Sequence, residues 1–290
     1  MSEETVVTSA VLREWPLPEI GDNAGKQARG TVVVIGGAAD TPGAVLLAGL
    51  AALRVGAGRL TVATVDVTAA TLAVAIPEAA VSALPATGDG RLGGAAVAAA
   101  RDLVDGADVV VLGPGMRGAD EAKAFVSGLL PAIGDETTLV LDAMGLTCGA
   151  VTEAGDIGRL IATPNAKEAR ILLDEGADDE RDVDAGTATR LAKSIGGVVA
   201  LESHVAAPDG RCWVDGSGNS GLGTSGSGDV LAGAIGGLAA RGATPDQAAV
   251  WGAHVHAEAG ERLAARVGRL GYLARELLDE LPRVLAELEA

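Results

Sequence analysis

Short β-branched runs alternate with longer Ala- and Leu-rich segments along most of the chain. Residues 31–35 (TVVVI) are a continuous apolar run, which is typical of a strand buried on both faces of a parallel sheet. Residues 44–55 (AVLLAGLAALRV) have the length and composition of a helix, and residues 60–65 (LTVATV) predict the next strand. This order predicts a βαβ unit with parallel strands.

The same alternation continues towards the end of the chain. Further strands are predicted over residues 109–112, 138–141, 160–163 and 198–201, and helices over 95–104, 119–130, 169–173, 230–240, 244–266 and 272–288. Residues 207–210 predict the turn of a hairpin closed by residues 211–214. We expect Pro282 to bend or restart the last helix.

Two polar segments are predicted to lie outside this core. Residues 1–30 contain Pro16 and Pro18 and are expected to be an N-terminal arm. Residues 174–187 are densely acidic and are expected to be a solvated loop or the start of a helix. The alternation therefore predicts one α/β domain over residues 1–290, with a mainly parallel sheet.

Composition narrows the class of protein. Hydrophobic residues make up 48% of the chain and aromatic residues 2%, which predicts a core of Ala, Val and Leu. A net charge of −17 without a basic cluster argues against nucleic acid and anionic membranes as partners. No signal peptide or spanning segment is evident, and Cys148 and Cys212 lack metal-ligand spacing. We therefore expect free thiols in a reducing cytoplasm.

Residues 216–233 (GSGNSGLGTSGSGDVLAG) carry the strongest chemical signal. A Gly-rich loop that leads into a helix binds phosphate, because its backbone can approach closely and the first N–H groups of the helix are unpaired. Asp229 would be a carboxylate inside this anion hole, where it is useful as a general base for a nearby hydroxyl. The alternative is an ordinary Gly-rich turn with Asp229 as the helix cap.

Two further positions allow more than one interpretation. Asn165 and Glu168 follow a strand and Pro164, so they predict either a helix cap or oxygen groups that organise waters on Mg²⁺. His254 and His256 are two residues apart on a predicted helix and point to different sides. We expect packing or interface roles for both histidines rather than metal chelation.

The Gly-rich stretch resembles the signature of the ribokinase-like superfamily. Together with GAVLLAGLAALRVGAGRLTVAT, VVVLGPGMRG and GYLARELLDELP, it is similar to ADP/ATP-dependent NAD(P)H-hydrate dehydratases over nearly the whole chain. The resemblance implies a three-layer α/β/α sandwich and a cytoplasmic, Mg²⁺-dependent homotetramer. It also implies a reaction: ADP or ATP phosphorylates the C6 hydroxyl of the hydrated cofactor NADHX or NADPHX, and phosphate elimination restores NADH or NADPH.

The resemblance assigns roles to individual residues. Asp229 would act on the substrate hydroxyl, and Ala44 and Gly115 would contact the hydrated nicotinamide. Apart from the resemblance, the position of Glu168 after a strand predicts that it could reach Mg²⁺ through a water. The residues expected to bind substrate or nucleotide also include Asn165, Glu202, Ser203, Ala206, Asn219, Gly226, Ser227 and Gly228.

The sequence departs from the family pattern at three places. Asn165 stands where the family usually has His, Glu202-Ser203 where it has Lys-Gly, and Asp142-Ala143-Met144 where it has Asp-Ala-Asp. The spacing of Asn165 and Glu168 also resembles the N-x-x-E motif of ribokinase-type kinases. A kinase for a sugar or vitamin-precursor alcohol and a non-catalytic nucleotide-binding relative are therefore the alternatives.

Overall fold

The computed structural model describes residues 4–21, 25–175 and 183–290. Within these ranges the chain forms ten strands and eleven α-helices. The strands are β1 (Glu4–Val7), β2 (Thr31–Ile35), β3 (Arg59–Val65), β4 (Ala80–Leu84), β5 (Val109–Leu112), β6 (Thr138–Leu141), β7 (Leu160–Ala162), β8 (Val198–Leu201), β9 (His204–Ala206) and β10 (Cys212–Asp215). The helices are α1 (Ser9–Glu14), α2 (Pro42–Arg54), α3 (Asp66–Ala75), α4 (Val97–Val104), α5 (Ala119–Leu129), α6 (Ala143–Thr147), α7 (Ala166–Leu172), α8 (Ala185–Ile195), α9 (Ser227–Ala240), α10 (Pro245–Val267) and α11 (Ala274–Leu288).

The ten strands form one sheet in the order β1-β10-β9-β8-β7-β6-β5-β2-β3-β4. Among the described strands, β9 alone runs antiparallel to its neighbours, and all other pairs are parallel. The predicted mainly parallel sheet is therefore confirmed. The predicted hairpin is also present, and its turn is closed by a hydrogen bond from the N–H of Ala207 to the carbonyl of Arg211 (2.9 Å).

Alternate residues of the central strands point into two separate cores. On β2, Val32 and Val34 pack on the side of α2, α9, α10 and α11, whereas Val33 and Ile35 pack on the side of α4, α5 and α8. This follows from the two-residue period of a strand, which makes a strand buried on both faces apolar throughout. The predicted three-layer α/β/α sandwich is confirmed.

Several predicted boundaries shift. The helix predicted over residues 169–173 begins at Ala166, because Asn165 caps it. The last helix continues through Pro282 to Leu288, so it does not restart there. Helix α3 and strand β4, which the sequence did not predict, complete the edge of the sheet next to β3.

The N-terminal segment differs from the expected arm. Strand β1 pairs in parallel with β10, and helix α1 follows it. Trp15 stacks on Trp213 with ring centroids 5.8 Å apart, and the indole N–H of Trp251 donates to the Trp15 carbonyl at 3.0 Å. Residues 4–15 therefore belong to the folded body, and their polar character reflects an edge strand with one buried residue, Val7.

The predicted acidic loop is only partly within the described ranges, since residues 176–182 lie outside them. Asp184 caps α8 by accepting a hydrogen bond from the N–H of Thr187 at 2.8 Å. Cys148 and Cys212 are free and buried, as expected of unpaired thiols. None of the helices in the described part of the chain is both long and apolar enough to cross a membrane.

Candidate functional site

The carboxyl ends of β2 and β5 bring together two residues that are distant in sequence. The N–H of Gly37 donates to the carbonyl of Pro114 (2.8 Å), and the hydroxyl of Thr41 donates to the carbonyl of Gly115 (2.6 Å). Gly115 has a positive φ of 66°, and a Cβ added there would lie 2.7 Å from the Cβ of Ala44. The two residues predicted to contact the hydrated nicotinamide are therefore neighbours.

The Gly-rich loop is fixed by its own polar groups before α9 begins. The side-chain oxygen of Asn219 accepts hydrogen bonds from the N–H of Gly221 (2.9 Å) and from the hydroxyl of Tyr272 (3.3 Å). Gly226 adopts a left-handed conformation with φ 90° and precedes Ser227, the first residue of α9. A side chain is disfavoured in this region of φ, so glycine suits the turn into the helix.

Helix α9 lies unusually close to α2. A Cβ at Gly233 or Gly237 would overlap the backbone carbonyl of Ala48 or Ala52, respectively. The same contact continues to the start of α9, where a Cβ at Gly226 would lie 2.6 Å from the side chain of Leu47. Because Leu47 follows Ala44 by one helical turn, the start of α9 and the Ala44–Gly115 contact lie on the same side of the sheet edge.

The first turn of α9 has the geometry of an anion site. The N–H of Val230 donates to the carbonyl of Gly226 (3.2 Å), so the N–H groups of Gly228 and Asp229 precede this first helical hydrogen bond. Apart from the adjacent residues and the backbone of its own helix, no atom of the described residues lies within 4 Å of a Cβ added at Gly228, so other parts of the fold leave this backbone open. An anion can approach these N–H groups, and the positive end of the helix dipole favours it.

Asp229 lies in this first turn but does not cap the helix. The cap residue is Gly226, and Asp229 is the third helical residue. Partial burial raises the pKa of Asp229 from 3.8 to about 6, because desolvation disfavours the ionised form. The carboxylate is therefore ionised at neutral pH and still basic enough to accept a proton from a hydroxyl.

A second carboxyl group, which the sequence did not assign to the site, follows β6. Asp142 is 5% exposed and accepts a hydrogen bond from the hydroxyl of Thr163 at 2.8 Å. Burial raises the pKa of Asp142 to about 7, and the negative charges of Asp229 and Glu168 add to the rise. The structure therefore concentrates carboxyl groups at this edge of the sheet.

Asn165 and Glu168 form a reciprocal capping box at the start of α7. The side-chain oxygen of Asn165 accepts from the N–H of Glu168 (2.9 Å), and the carboxylate of Glu168 accepts from the N–H of Asn165 (3.0 Å). The capping interpretation is confirmed. Within the described ranges, no three His, Cys, Asp or Glu side chains form a group that could hold a metal ion.

A cavity of about 750 Å³ opens beside the start of α9. The residues predicted to bind substrate or nucleotide that line it are Asn165, Glu202, Ser203, Asn219, Ser227 and Gly228. Ala206 does not line it, because the side chain of this β9 residue is fully buried in the core on the α4, α5 and α8 side. Arg269 is the only Lys or Arg among the described residues that line the cavity.

The lining of the cavity includes a turn with a positive φ. Glu202 and Ser203 form the two-residue connection between β8 and β9, in which Leu201 pairs with His204. Glu202 has a positive φ of 52°, a region that favours glycine. The exposed carboxylate of Glu202 thus stands beside the cavity in place of the lysine that the family pattern predicts.

Polar residues of α10 hold the loop that lines the cavity. The hydrogen-bonded pairs are His256 with Ser227 (3.0 Å), His254 with Asp215 (2.8 Å) and Glu258 with Ser217 (2.8 Å). Both histidines are buried, so the expected packing role is confirmed, but the sequence did not predict their polar partners. The sequence signal that could have indicated these contacts is the presence of His254, His256 and Glu258 among the buried apolar residues of α10.

Comparison with known proteins places the chain in one family. The family model described as NAD(P)H-hydrate dehydratase matches residues 32–283. The ADP-dependent (S)-NAD(P)H-hydrate dehydratase of Xanthomonas campestris is 44% identical, over 97% of this chain and 96% of that protein. The bifunctional NAD(P)H-hydrate repair enzyme Nnr of Moorella thermoacetica is 34% identical. The match covers 94% of this chain and 52% of that longer protein.

A solved structure agrees with these matches. The ADP/ATP-dependent NAD(P)H-hydrate dehydratase of Bacillus subtilis, co-crystallised with ATP and Mg²⁺, superposes with a TM-score of 0.82 and 28% identity, covering 99% of both chains. The match extends over the sheet and helices that carry the Gly-rich loop and Asp229. The family model covers most of the chain, and the Xanthomonas campestris relative matches it over nearly the full length of both proteins. The chain therefore belongs to the NAD(P)H-hydrate dehydratase family.

Proposed function

We propose that this protein uses ADP, or ATP, to dehydrate NADHX and NADPHX, the hydrated nicotinamide cofactors, and so restores NADH and NADPH. The observation that carries the proposal is the basic carboxylate of Asp229 inside the anion site at the start of α9. Family membership supports the reaction class, and the Xanthomonas campestris relative carries the name of an ADP-dependent (S)-NAD(P)H-hydrate dehydratase.

Two neighbouring regions suit the two substrates. The cavity beside Gly228 would hold the nucleotide, with its reacting phosphate against the N–H groups of the first turn of α9. The surface formed by Ala44 and Gly115 would hold the hydrated ring. Asp229 stands at the start of α9, which contacts α2 near Ala44, so it can serve a hydroxyl that approaches from the α2 side.

The chemistry then runs in two balanced steps. Asp229 removes the proton of the C6 hydroxyl while the oxygen attacks the terminal phosphorus of ADP, forming an O–P bond and releasing AMP. The C6–O bond of the phosphate ester then breaks with its electron pair leaving on the phosphate, and the neighbouring ring carbon gives its proton to this phosphate as the ring double bond forms. The backbone N–H donors stabilise the charge that the transferred phosphate carries.

Mg²⁺ fits the chemistry of this edge of the sheet. The pKa of Asp142 is raised in part by the charges of Asp229 and Glu168, which is a local excess of negative charge that a divalent cation would offset. Mg²⁺ prefers oxygen ligands and keeps several waters, so Glu168 would contact it through a water. The bound ion would neutralise phosphate charge during transfer.

The alternatives have less support. The N-x-x-E spacing that favoured a small-molecule kinase is explained by the capping box of Asn165 and Glu168. A non-catalytic relative would have no use for a basic carboxylate in an anion site, where Asp229 repels the ligand. The exchange of the expected lysine for Glu202 is the remaining feature that would suit such a relative.

We also propose a cytoplasmic homotetramer built from a single domain over residues 1–290. The continuous ten-stranded sheet supports one domain, and the two free cysteines suit a reducing compartment. Val74 and Leu270 are 84% and 78% exposed and would be candidate contacts between subunits. Light scattering on the purified protein tests the tetramer, and a monomer mass would refute it.

The function is tested by absorbance at the NADH band. Purified protein is mixed with chemically hydrated NADH, Mg²⁺ and either ADP or ATP, and AMP or ADP release is measured in parallel. We expect nucleotide-dependent recovery of NADH with one nucleotide consumed per NADH formed. Consumption of nucleotide without recovery would instead establish a kinase, and binding without consumption a non-catalytic relative.

A further inference from the structure

His256 is a buried polar residue with a partner in the nucleotide cavity. Its Nε2 lies 3.0 Å from the hydroxyl oxygen of Ser227, and both residues are among those lining the cavity. The contact joins the middle of α10 to the first residue of α9. Ser227 therefore stands where the reacting phosphate of a nucleotide is proposed to bind, directly before Gly228 and Asp229.

The imidazole of His256 is neutral over the working range of pH. Burial lowers its pKa from 6.5 to about 4, because desolvation disfavours the charged form. A neutral imidazole has one N–H group, so only one of its two nitrogens can donate. The direction of the hydrogen bond with Ser227 is therefore set by the tautomer.

The two tautomers have opposite effects on an anion. If Nδ1 carries the proton, the hydroxyl of Ser227 must donate to Nε2, which leaves only oxygen lone pairs to face a phosphate. If Nε2 carries the proton, it donates to the oxygen of Ser227, and the hydroxyl proton is free for a phosphate oxygen. Of the two arrangements, only the second gives an anion at the start of α9 a side-chain donor in addition to the backbone N–H groups.

We propose that His256 is a positioning residue whose Nε2–H group holds the Ser227 hydroxyl as a donor to the transferred phosphate. The inference rests on the proposed function, since the phosphate is that of the nucleotide. The Ser227 hydroxyl would add a side-chain donor to the N–H groups of α9. Such a donor matters here because the described residues that line the cavity include one Arg and no Lys.

The neighbouring histidine gives an internal reference. His254 has its Nδ1 2.8 Å from the carboxylate of Asp215, which only accepts hydrogen bonds when ionised. His254 therefore carries a proton on Nδ1, whereas the proposal requires His256 to carry its proton on Nε2. Two histidines that are two residues apart on α10 are expected to be opposite tautomers.

Nitrogen NMR of ¹⁵N-histidine-labelled protein reads these tautomers directly. The chain has three histidines, so His204→Gln and His254→Gln variants complete the assignment. We expect His256 to show a protonated Nε2 and an unprotonated Nδ1, with both resonances shifting when ADP and Mg²⁺ are added. A protonated Nδ1 on His256 in the ADP complex would overturn the proposal.

Activity measurements test the same contact. Ser227→Ala and His256→Leu should each lower kcat/KM by about 10- to 100-fold, the size expected for one hydrogen bond to a charged group. The double variant should lose little more than either single variant, because the two residues act as one unit. His256→Gln, which can place an amide N–H near the position of Nε2, should recover part of the loss.

Controls separate this inference from the proposed function. Ser225→Ala makes the same chemical change at an exposed position of the same loop and should leave activity unchanged, whereas Ser227→Thr should retain most of it. NADH recovery by the wild type with full activity in Ser227→Ala refutes the inference alone. If the wild type recovers no NADH, calorimetric ADP affinities of the variants still test the contact, and equal affinities refute it.

Discussion

Asp142→Asn should make the protein more stable at high pH. The Asp142 carboxyl is 5% exposed, and burial with nearby negative charge raises its pKa from 3.8 to about 7. The native state therefore binds this proton more tightly than the unfolded state, so the free energy of unfolding falls as the pH rises from about 4 to about 7. Asparagine avoids this loss because it cannot ionise and still accepts the hydrogen bond from Thr163.

The size of the effect follows from the shift. About three pKa units at 1.36 kcal/mol each give a stabilisation of about 4 kcal/mol at pH 8, which falls to about 2 kcal/mol at pH 5. Urea unfolding at the two pH values measures both differences. Asp184→Asn is the matched control, because Asp184 is an exposed cap whose pKa is lowered by hydrogen bonds from Thr187. It should gain nothing at pH 8.

A pH-independent difference would refute this reasoning. If Asp142→Asn and the wild type have the same urea midpoint at pH 8, the carboxylate is either hydrated or neutralised by a cation. Repeating the measurement with Mg²⁺ and ADP separates these outcomes, since a bound cation would restore stability only to the wild-type carboxylate.

Three further substitutions probe the cavity. The Cβ of Gly228→Ala meets no neighbouring element in the free protein, so this variant should fold with unchanged or slightly higher stability but bind ADP at least 10-fold more weakly. Gly216→Ala, at an exposed glycine outside the cavity lining, is the control and should leave ADP binding unchanged. Calorimetry measures both affinities. Glu202→Gly should raise stability by about 0.5–1 kcal/mol in thermal unfolding because it relieves the positive φ, whereas Ser203→Gly in the same turn should lower stability. Arg269→Gln should weaken ADP binding at low salt and reduce its salt dependence; an unchanged salt dependence would show that Arg269 does not attract the phosphates.

The central fold was predictable because its signals are local. The strands over residues 31–35 and 109–112 are buried on both faces, so each appears in the sequence as an uninterrupted apolar run. Strand β1 has one buried residue, Val7, and its exposed positions resemble an arm. The pairing that makes it a strand comes from β10, which is more than two hundred residues away.

In the candidate site, too, the features carried by contiguous residues were predictable and the contacts between different elements were not. Gly228 and Asp229 are contiguous and belong to one motif, so their placement in the first turn of α9 was predictable. The contacts of His256 with Ser227 and of Thr163 with Asp142 join different elements, and no local pattern indicates them. The contact expected at Ala206 rested on resemblance alone, and the structure buries that side chain away from the cavity.

The role of Asp229 is the centre of this account, and one comparison tests it. Wild type and Asp229→Asn are supplied with hydrated NADH, Mg²⁺ and ADP, and NADH absorbance is followed while ADP affinity is measured separately. We expect recovery in the wild type, a loss of at least about 100-fold in the variant, and similar ADP affinity in both, because asparagine keeps the shape but cannot accept the proton. Recovery by Asp229→Asn close to the wild-type rate would contradict the assignment of Asp229 as the base.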